Sequence, residues 1–122
     1  MNELLLDVVR VVITGPTASG KSAVALELAK RLPDTEIVSV DSMMVYRDMN
    51  IGTAKPSSGA RQIVRFHMLD VVSPGEEYNL GRYVKDARAC LGELRGRARR
   101  AILVGGSMMY LRGLLEGVFE GP

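Results

Sequence analysis

The chain has 122 residues, of which 47% are hydrophobic and 25% charged, and its formal net charge is +2. These values are ordinary for one compact globular domain, and they exclude an intrinsically disordered chain. A lone cysteine, an N-terminus without the basic region of a signal peptide, and apolar runs too short to cross a bilayer predict a cytoplasmic protein.

The first third of the chain predicts a βαβ unit. Residues 8–14 form a nearly continuous β-branched run, which favours a strand buried on both faces of a parallel sheet. Apolar residues then recur at helical spacing from Lys21 until Pro33 ends the helix. Residues 36–40 predict a second strand, and the crossover between the two strands should be right-handed.

The rest of the chain is regular mainly in its second half. Residues 52–59 are a loop by composition, and a strand is expected near residues 68–72. A helix with one apolar face is predicted over residues 80–94, a third buried strand over 101–104 and a helix over 107–115. The predicted architecture is an α/β fold with a parallel core and flanking helices.

Between the first strand and the first helix lies GPTASGKS, which matches the phosphate-loop pattern G-x-x-x-x-G-K-[ST]. Two glycines let successive backbone N–H groups face an anion, and the helix N-terminus adds its positive dipole end. An accidental match is expected in roughly one chain of this length in a hundred, or fewer. We predict a P-loop-containing sheet of the nucleoside triphosphate hydrolase type, with phosphate bound by Gly15, Pro16, Thr17, Ala18, Ser19, Gly20, Lys21 and Ser22. The Ser22 hydroxyl is also a candidate ligand of Mg²⁺.

Asp41 follows the second predicted strand, at the edge where parallel α/β sheets bind ligands. Its carboxylate has three possible roles. It could cap the next turn, bind Mg²⁺, or act as a general base beside the phosphate loop. The spacing of the residues leaves all three open.

Four segments make the sequence resemble the tRNA dimethylallyltransferase (isopentenyltransferase) family. The order and spacing of these segments match the family, and the segments are GPTASGKSA, VDSMMVYRDMNIGTAKP, HMLDVVSPGEEYNLGRY and ILVGGSMMYLRGLLEG. The second segment is specific, because ordinary kinases lack it. The resemblance implies that residues 1–122 are the N-terminal, donor-binding part of a longer enzyme. The helical insert that grips the anticodon stem and loop, and an arginine that contacts the diphosphate, would then follow Pro122.

The resemblance also implies a reaction. A dimethylallyl group passes from dimethylallyl diphosphate, held with Mg²⁺ and without consumption of ATP, to the exocyclic amine of the adenosine 3′ of the tRNA anticodon. Asp41 aligns with the general base, and Ser107 aligns with a threonine that orients donor and base. The tRNA contacts implied by the alignment are Asp41, Ser42, Met43, Met44 and Ser107. The full-length enzyme is expected to be a monomer.

Three positions depart from the family pattern. Met44 stands where the family has a glutamine, so a side chain able to hydrogen-bond a base becomes apolar. The usual GGTGLY is GGSMMY here, so Ser107 keeps the hydroxyl whereas Met108 replaces a glycine. The family's paired histidines appear as Phe66 and His67.

Several other residues have more than one interpretation. Lys55 and Arg47 either contact substrate phosphates or lie in a solvated loop. His67 is expected to be structural, and the arginines of residues 82–100 are expected to form a solvated helix face rather than an RNA contact. The methionines near the site either pack in the protein or line a pocket for the prenyl group.

Three other functions stay open from the sequence. The chain could belong to an enzyme that prenylates free adenine nucleotides, or to a small-molecule kinase of the same fold. It could also be an inactive fragment that only binds phosphate. The acceptor, the preference between ATP and dimethylallyl diphosphate, and the presence of transfer activity distinguish these functions.

Overall fold

The structure, a computed structural model, describes residues 3–15, 20–48 and 55–116. The strands in these ranges are β1 (Val9–Thr14), β2 (Thr35–Ser39), β3 (Phe66–His67) and β4 (Arg100–Gly105). The helices in the same ranges are α1 (Glu3–Val8), α2 (Lys21–Lys30), α3 (Ser58–Ile63), α4 (Leu80–Gly96) and α5 (Met108–Glu116). The strands pair in parallel in the spatial order β1–β4–β2–β3. The predicted α/β class with a parallel sheet is confirmed.

Strand β4 lies between β1 and β2 and pairs with both. The sequence predicts that β1, α2 and β2 form one βαβ unit, and the structure places a strand from later in the chain inside that unit. Every residue of β2 is buried, and so are all but the first of β4, whereas β1 alternates between half-buried and exposed positions. The prediction that the first strand is buried on both faces is therefore wrong, because β1 is at one edge of the described sheet.

The two faces of β4 contribute to two different clusters of the core. Ala101 and Leu103 belong to the larger cluster, which includes residues of α1, α4 and α5. Ile102 and Val104 belong to the cluster that includes Ala25 on α2. Burial on both faces explains why this strand reads as a continuous apolar run rather than as an alternation.

The N-terminal segment forms a helix that the sequence pattern did not predict. Residues 3–8 are α1, so the first strand begins at Val9 rather than at Val8. Leu5 and Val8 are fully buried in the larger core cluster, which also contains apolar residues of α4. A short apolar run such as LLL fits a buried helix or a buried strand equally well, and only tertiary packing decides between them.

Helix α3 begins inside the segment that the composition predicts to be a loop. The Ser57 side chain accepts a hydrogen bond from the Ala60 amide at 3.1 Å, which caps the first turn of α3. The other part of that predicted loop, residues 52–54, lies outside the described residues. The prediction of a loop is thus wrong from Ser58 onward.

The strand expected near residues 68–72 is also wrong. The strand in this region is the two-residue β3, and Met68 and Asp70 have φ values of 67° and 55°. Left-handed backbone at two positions is incompatible with a continuous strand. Val72 makes an isolated bridge with Tyr46. The predicted bounds of α2, β2, α4, β4 and α5 are confirmed to within one or two residues.

Candidate active site

Three connections meet at one edge of the sheet. Because β1, β4 and β2 are adjacent and parallel, the segments that follow their carboxyl ends lie side by side. These segments begin with Gly15 after β1, Gly106 after β4 and Val40–Asp41 after β2. The topology therefore brings together the described start of the phosphate-loop pattern, the GGSMMY segment and the candidate base that the sequence singled out.

The turn after β4 is fixed tightly to the end of β2. The Val40 amide donates to the Val104 carbonyl at 2.8 Å, and the Ser107 amide donates to the Val40 carbonyl at 3.2 Å. A Cβ atom on Gly105 would lie 1.9 Å from the Val40 oxygen, so the crossing excludes any side chain at this position. Ser107 is thereby held next to the residue that precedes Asp41.

On its other side the same turn lies close to the phosphate-loop lysine. A Cβ atom on Gly106 would lie 3.8 Å from Lys21 Nζ and 3.5 Å from the Gly15 carbonyl oxygen. Lys21 is buried, with 7% of its surface exposed. The turn that carries Ser107 therefore lies between Lys21 and the end of β2.

Lys21 is the first residue of α2, and the helix is preceded by a glycine in left-handed conformation. Gly20 has φ 77° and ψ 14°, a region that residues with a Cβ atom rarely adopt. Ser22 is half-buried in the first turn of α2, where N–H groups have no partner within the helix and favour an anion. Four predicted phosphate-loop residues, Pro16, Thr17, Ala18 and Ser19, lie outside the described residues.

Asp41 is oriented by the backbone that follows it. Its Oδ1 atom accepts hydrogen bonds from the amides of Met43 at 2.8 Å and Met44 at 3.1 Å. This arrangement is an Asx-type turn, which corresponds to the capping role considered from the sequence. Both of these bonds use the same oxygen, so the turn fixes the carboxylate without engaging Oδ2.

The predicted contacts with the nucleotide differ in accessibility. Ser42 is exposed, and Met43 has 44% of its surface exposed. Met44 is only 7% exposed, and the Ser39 hydroxyl donates to its sulfur at 3.9 Å. Contact with tRNA stays a prediction for all three residues, but Met43 offers the larger apolar surface.

Ser107 has a structural contact in addition to its predicted role. Its Oγ atom accepts a hydrogen bond from the Tyr110 amide at 3.2 Å, which caps the start of α5. A hydroxyl group that accepts one hydrogen bond can still donate its own proton. The capping bond is thus compatible with a second contact from Ser107 to a bound ligand.

Two buried tyrosines that the sequence did not single out support this edge of the sheet. The rings of Tyr83 and Tyr110 stack with centroids 4.6 Å apart, and the Tyr83 hydroxyl donates to the Ser39 carbonyl at 2.6 Å. Burial raises the pKa of both phenols, so they stay neutral hydrogen-bonding groups. Tyr83 was visible from the sequence only as part of the apolar face of α4.

The structure gives Lys55 and Arg47 a role that neither sequence interpretation included. The Lys55 side chain is 6% exposed, and its Nζ atom donates to Asp70 Oδ1 and to the Tyr46 carbonyl, both at 2.6 Å. Arg47 Nε donates to the Asp70 carbonyl at 3.2 Å. Lys55 is therefore not a solvated loop lysine, and both cations bind the segment that contains Asp70.

Several arginines are ion-paired at the amino ends of the strands, opposite the edge that carries the candidate active site. Arg97 and Arg99 both bind Glu36, and Arg95 lies 3.4 Å from Asp7. Arg97 is exposed and Arg99 half-buried, and both follow the end of α4, so these ion pairs are compatible with the predicted solvated arginine face. His67 also binds Glu36, which is the partner that the sequence did not reveal.

The described part of the chain contains no group of three or more His, Cys, Asp or Glu residues placed to hold a metal ion. The Ser22 hydroxyl stays a predicted ligand of Mg²⁺, a cation that prefers oxygen ligands. None of the helices in the described ranges has both the length and the apolar character needed to cross a membrane.

Two family models match the chain. The model described as IPP transferase matches residues 44–122, and the model described as Isopentenyl transferase matches residues 9–74. The tRNA dimethylallyltransferase of Neisseria meningitidis serogroup B is 49% identical over 110 residues, which are 90% of this chain and 35% of that protein. The tRNA dimethylallyltransferase of Methylococcus capsulatus is 50% identical over 112 residues, 92% of this chain and 36% of that protein. The chain spans about a third of the length of the curated relatives that it matches.

Solved structures show the same similarity. A tRNA isopentenylpyrophosphate transferase from Bacillus halodurans is 36% identical with a TM-score of 0.86, over 95% of this chain and 38% of that one. A eukaryotic dimethylallyltransferase acting on tRNA is 31% identical with a TM-score of 0.79, over 86% of this chain and 26% of that one. These matches confirm the resemblance carried by the four sequence segments. Since the IPP transferase model matches more than half of its residues, the chain belongs to the IPP transferase family.

Proposed function

We propose that this chain is the donor-binding part of a tRNA dimethylallyltransferase. The reaction is transfer of a dimethylallyl group from dimethylallyl diphosphate to the exocyclic amine of the adenosine 3′ of the anticodon. One observation carries the proposal: the Gly106–Ser107 turn lies close to Lys21 on one side and is hydrogen-bonded to the residue before Asp41 on the other. Lys21, which could bind the leaving group, and Asp41, which could accept a proton, are thus held at one edge of the sheet.

The phosphate loop would bind the diphosphate of the donor. As the bond between the allylic carbon and the diphosphate oxygen breaks, negative charge develops on the diphosphate. The Lys21 ammonium and the N–H groups of the first turn of α2 would stabilise that charge. Mg²⁺, when bound, would neutralise further charge on the leaving group, and Ser22 is the residue of this chain that would help to hold it.

Asp41 would accept the proton that the adenine amine loses. The amine nitrogen attacks the allylic carbon, and its proton becomes acidic as the new C–N bond forms. We assign Oδ2 as the acceptor, because the turn amides occupy Oδ1. A positioned base of this kind contributes about 10²–10⁴-fold to the rate.

The neighbouring Met43 offers an apolar surface on which the acceptor adenine could pack. An adenine has to leave its stack to reach a base and a carbon electrophile, and a single-stranded loop makes this less costly. Met43 is exposed and follows Asp41 by two residues. Its thioether side chain could pack against an unstacked base or against the prenyl group.

The test uses a fusion in which this chain replaces the matching third of the Neisseria meningitidis tRNA dimethylallyltransferase. Radiolabelled dimethylallyl diphosphate and tRNA are the substrates, and the variants are Asp41→Asn and Asp48→Asn. Asparagine keeps an acceptor oxygen for the turn amides but is a far weaker base, so we expect kcat to fall by at least about 100-fold. Asp48→Asn is the control at an exposed aspartate nearby in the chain.

Several results would contradict the proposal. Undiminished transfer by the Asp41→Asn fusion would remove the base from the mechanism. Prenylation of AMP but not of tRNA would identify a nucleotide prenyltransferase, and phosphoryl transfer from ATP would identify a kinase. No transfer by a correctly folded fusion would leave a fragment that only binds phosphate.

A further inference from the structure

Residues 70–72 are hydrogen-bonded through their backbone to the segment that follows Asp41. Asp70 donates its amide to the Met44 carbonyl at 3.0 Å, and Val71 and Val72 donate theirs to the Val45 carbonyl at 2.6 and 3.0 Å. The Arg47 amide donates back to the Val72 carbonyl at 2.8 Å. Backbone hydrogen bonds to residues 70–72, which are distant in sequence, therefore hold residues 44–47 in position.

Asp70 is the centre of this contact. Its carboxylate accepts Lys55 Nζ at 2.6 Å on one oxygen and Arg61 at 2.9 Å on the other. Its carbonyl accepts Arg47 Nε at 3.2 Å. Burial on its own would raise the pKa of Asp70, but the hydrogen bonds from Lys55 and Arg61 outweigh it and lower the pKa, so the group is an anion.

Lys55 extends the contact from Asp70 to the other segment. The Lys55 side chain is only 6% exposed, and its ammonium group bridges Asp70 and the Tyr46 carbonyl. A buried ammonium is tolerated only when it is paired and hydrogen-bonded. Loss of the Asp70 charge would therefore release Lys55, and with it the bond to Tyr46.

Met44 connects this cluster to the proposed base. Its amide donates to Asp41 Oδ1, and its carbonyl accepts from the Asp70 amide. The Met44 N–H group thus binds Asp41, and the Met44 carbonyl binds Asp70, so one residue connects the two aspartates. A shift of residues 44–47 would move an N–H group that orients the Asp41 carboxylate.

We propose that Asp70 is a positioning residue for Asp41, acting through Lys55 and the Asp41–Arg47 segment. The inference rests on the proposed role of Asp41 as the base. The hydrogen bonds of Asp70 join it to Met44, Arg47, Lys55 and Arg61, which lie outside the predicted phosphate loop. It would therefore affect the geometry of proton transfer more than the binding of the donor.

The first test measures hydrogen exchange of backbone amides in the 122-residue chain. The variant is Asp70→Asn, since asparagine also tolerates the φ of 55° at this position. Because hydrogen bonds to charged groups contribute about 1.5–3 kcal/mol, exchange at Met44 and Arg47 should accelerate about ten- to a hundredfold. Exchange at Ile102 and Leu103 in β4 should not change.

The matched control is Asp34→Asn. Like Asp70, Asp34 uses both of its carboxylate oxygens in ion pairs. Both oxygens accept from Arg10, at 3.0 and 2.8 Å, and the Asp34 side chain is about as exposed as that of Asp70. It lies just before β2, at the opposite end of that strand from Asp41. Exchange in the Asp41–Arg47 segment should be unchanged in this variant.

The second test measures transfer by the same fusion protein, with Asp70→Asn, Lys55→Met and both changes together. We expect kcat to fall about tenfold or more in each, with the KM for dimethylallyl diphosphate within about twofold of the parent. The double variant should be no slower than the single ones, because both changes break the same bridge.

The two proposals fail in different ways. Unchanged exchange in the Asp41–Arg47 segment of Asp70→Asn, or an equal acceleration in β4, would overturn the positioning role. A rise in KM with unchanged kcat would overturn it as well. A parent fusion without transfer activity would contradict the proposed function instead, while the exchange experiment still decides whether Asp70 holds the turn.

Discussion

His67 Nε2 lies 2.6 Å from Oε1 of Glu36, a carboxylate that is buried at the start of β2. Arg97 and Arg99 bind the other oxygen of Glu36 at 3.1 and 2.8 Å. The cluster ties together β2, β3 and the connection between α4 and β4. It lies at the amino ends of the strands, whereas the candidate active site lies at their carboxyl ends. Glu36 therefore serves the stability of the sheet.

We expect Glu36→Gln to lower the free energy of unfolding by about 3 kcal/mol, because it leaves two arginines beside a neutral group in a largely buried site. Urea denaturation at pH 7 measures the change. The control is Glu27→Gln, which removes an exposed pair with Lys30 and should cost less than about 1 kcal/mol. Equal effects of the two substitutions would show that the Glu36 cluster adds no more stability than an exposed ion pair.

The same cluster predicts how stability depends on pH. Burial on its own would raise the pKa of Glu36, but hydrogen bonds from Arg97, His67 and Arg99 lower it from 4.5 to about 2. The unfolded chain therefore binds this proton at a higher pH than the folded chain. The stabilisation is complete above about pH 5 and is lost as the pH falls toward 2, and it amounts to about 3 kcal/mol. Urea midpoints measured from pH 7 to pH 2 should fall less steeply in Glu36→Gln than in the parent chain.

Gly105→Ala should damage both the fold and the site. The added methyl group would overlap the Val40 carbonyl, so the turn after β4 has to move away from the end of β2. We expect a loss of about 3 kcal/mol or more in unfolding free energy, as for other substitutions that force backbone apart. Gly92→Ala is the control, because a Cβ atom there meets no neighbour within 4 Å and lies inside α4. That change should stabilise the chain by about 0.5–1 kcal/mol.

Local patterns were sufficient for much of the fold and for part of the site. The periodicity of α4 and the apolar runs of β2 and β4 locate these elements to within one or two residues. The phosphate-loop pattern and the segment around Asp41 indicate one ligand edge, because the carboxyl ends of parallel strands share it. The order of the strands was not predictable, since the insertion of β4 between β1 and β2 depends on contacts between distant segments.

The same limitation explains the contacts that the sequence did not reveal. Lys55 pairs with Asp70 across 15 positions, and His67 pairs with Glu36 across 31. An isolated charged residue in a loop looks solvated when its partner is far away in the chain. The left-handed backbone of Asp70 also gave no signal in hydrophobic periodicity, so a strand was expected where the chain turns.

The last prediction concerns the cation at the phosphate loop. Lys21→Met keeps an unbranched side chain at the start of α2 but removes its charge. Because the proposed contact is a charge-assisted one, the affinity for inorganic pyrophosphate with Mg²⁺ should fall about ten- to a hundredfold. Isothermal titration of the 122-residue chain measures this affinity. Lys30→Met is the control, since Lys30 binds the exposed Glu27 at the other end of the same helix. Equal pyrophosphate affinities in the two variants would mean that Lys21 does not hold the leaving group, and a parent chain without measurable affinity would mean that the loop needs the rest of the enzyme to bind it.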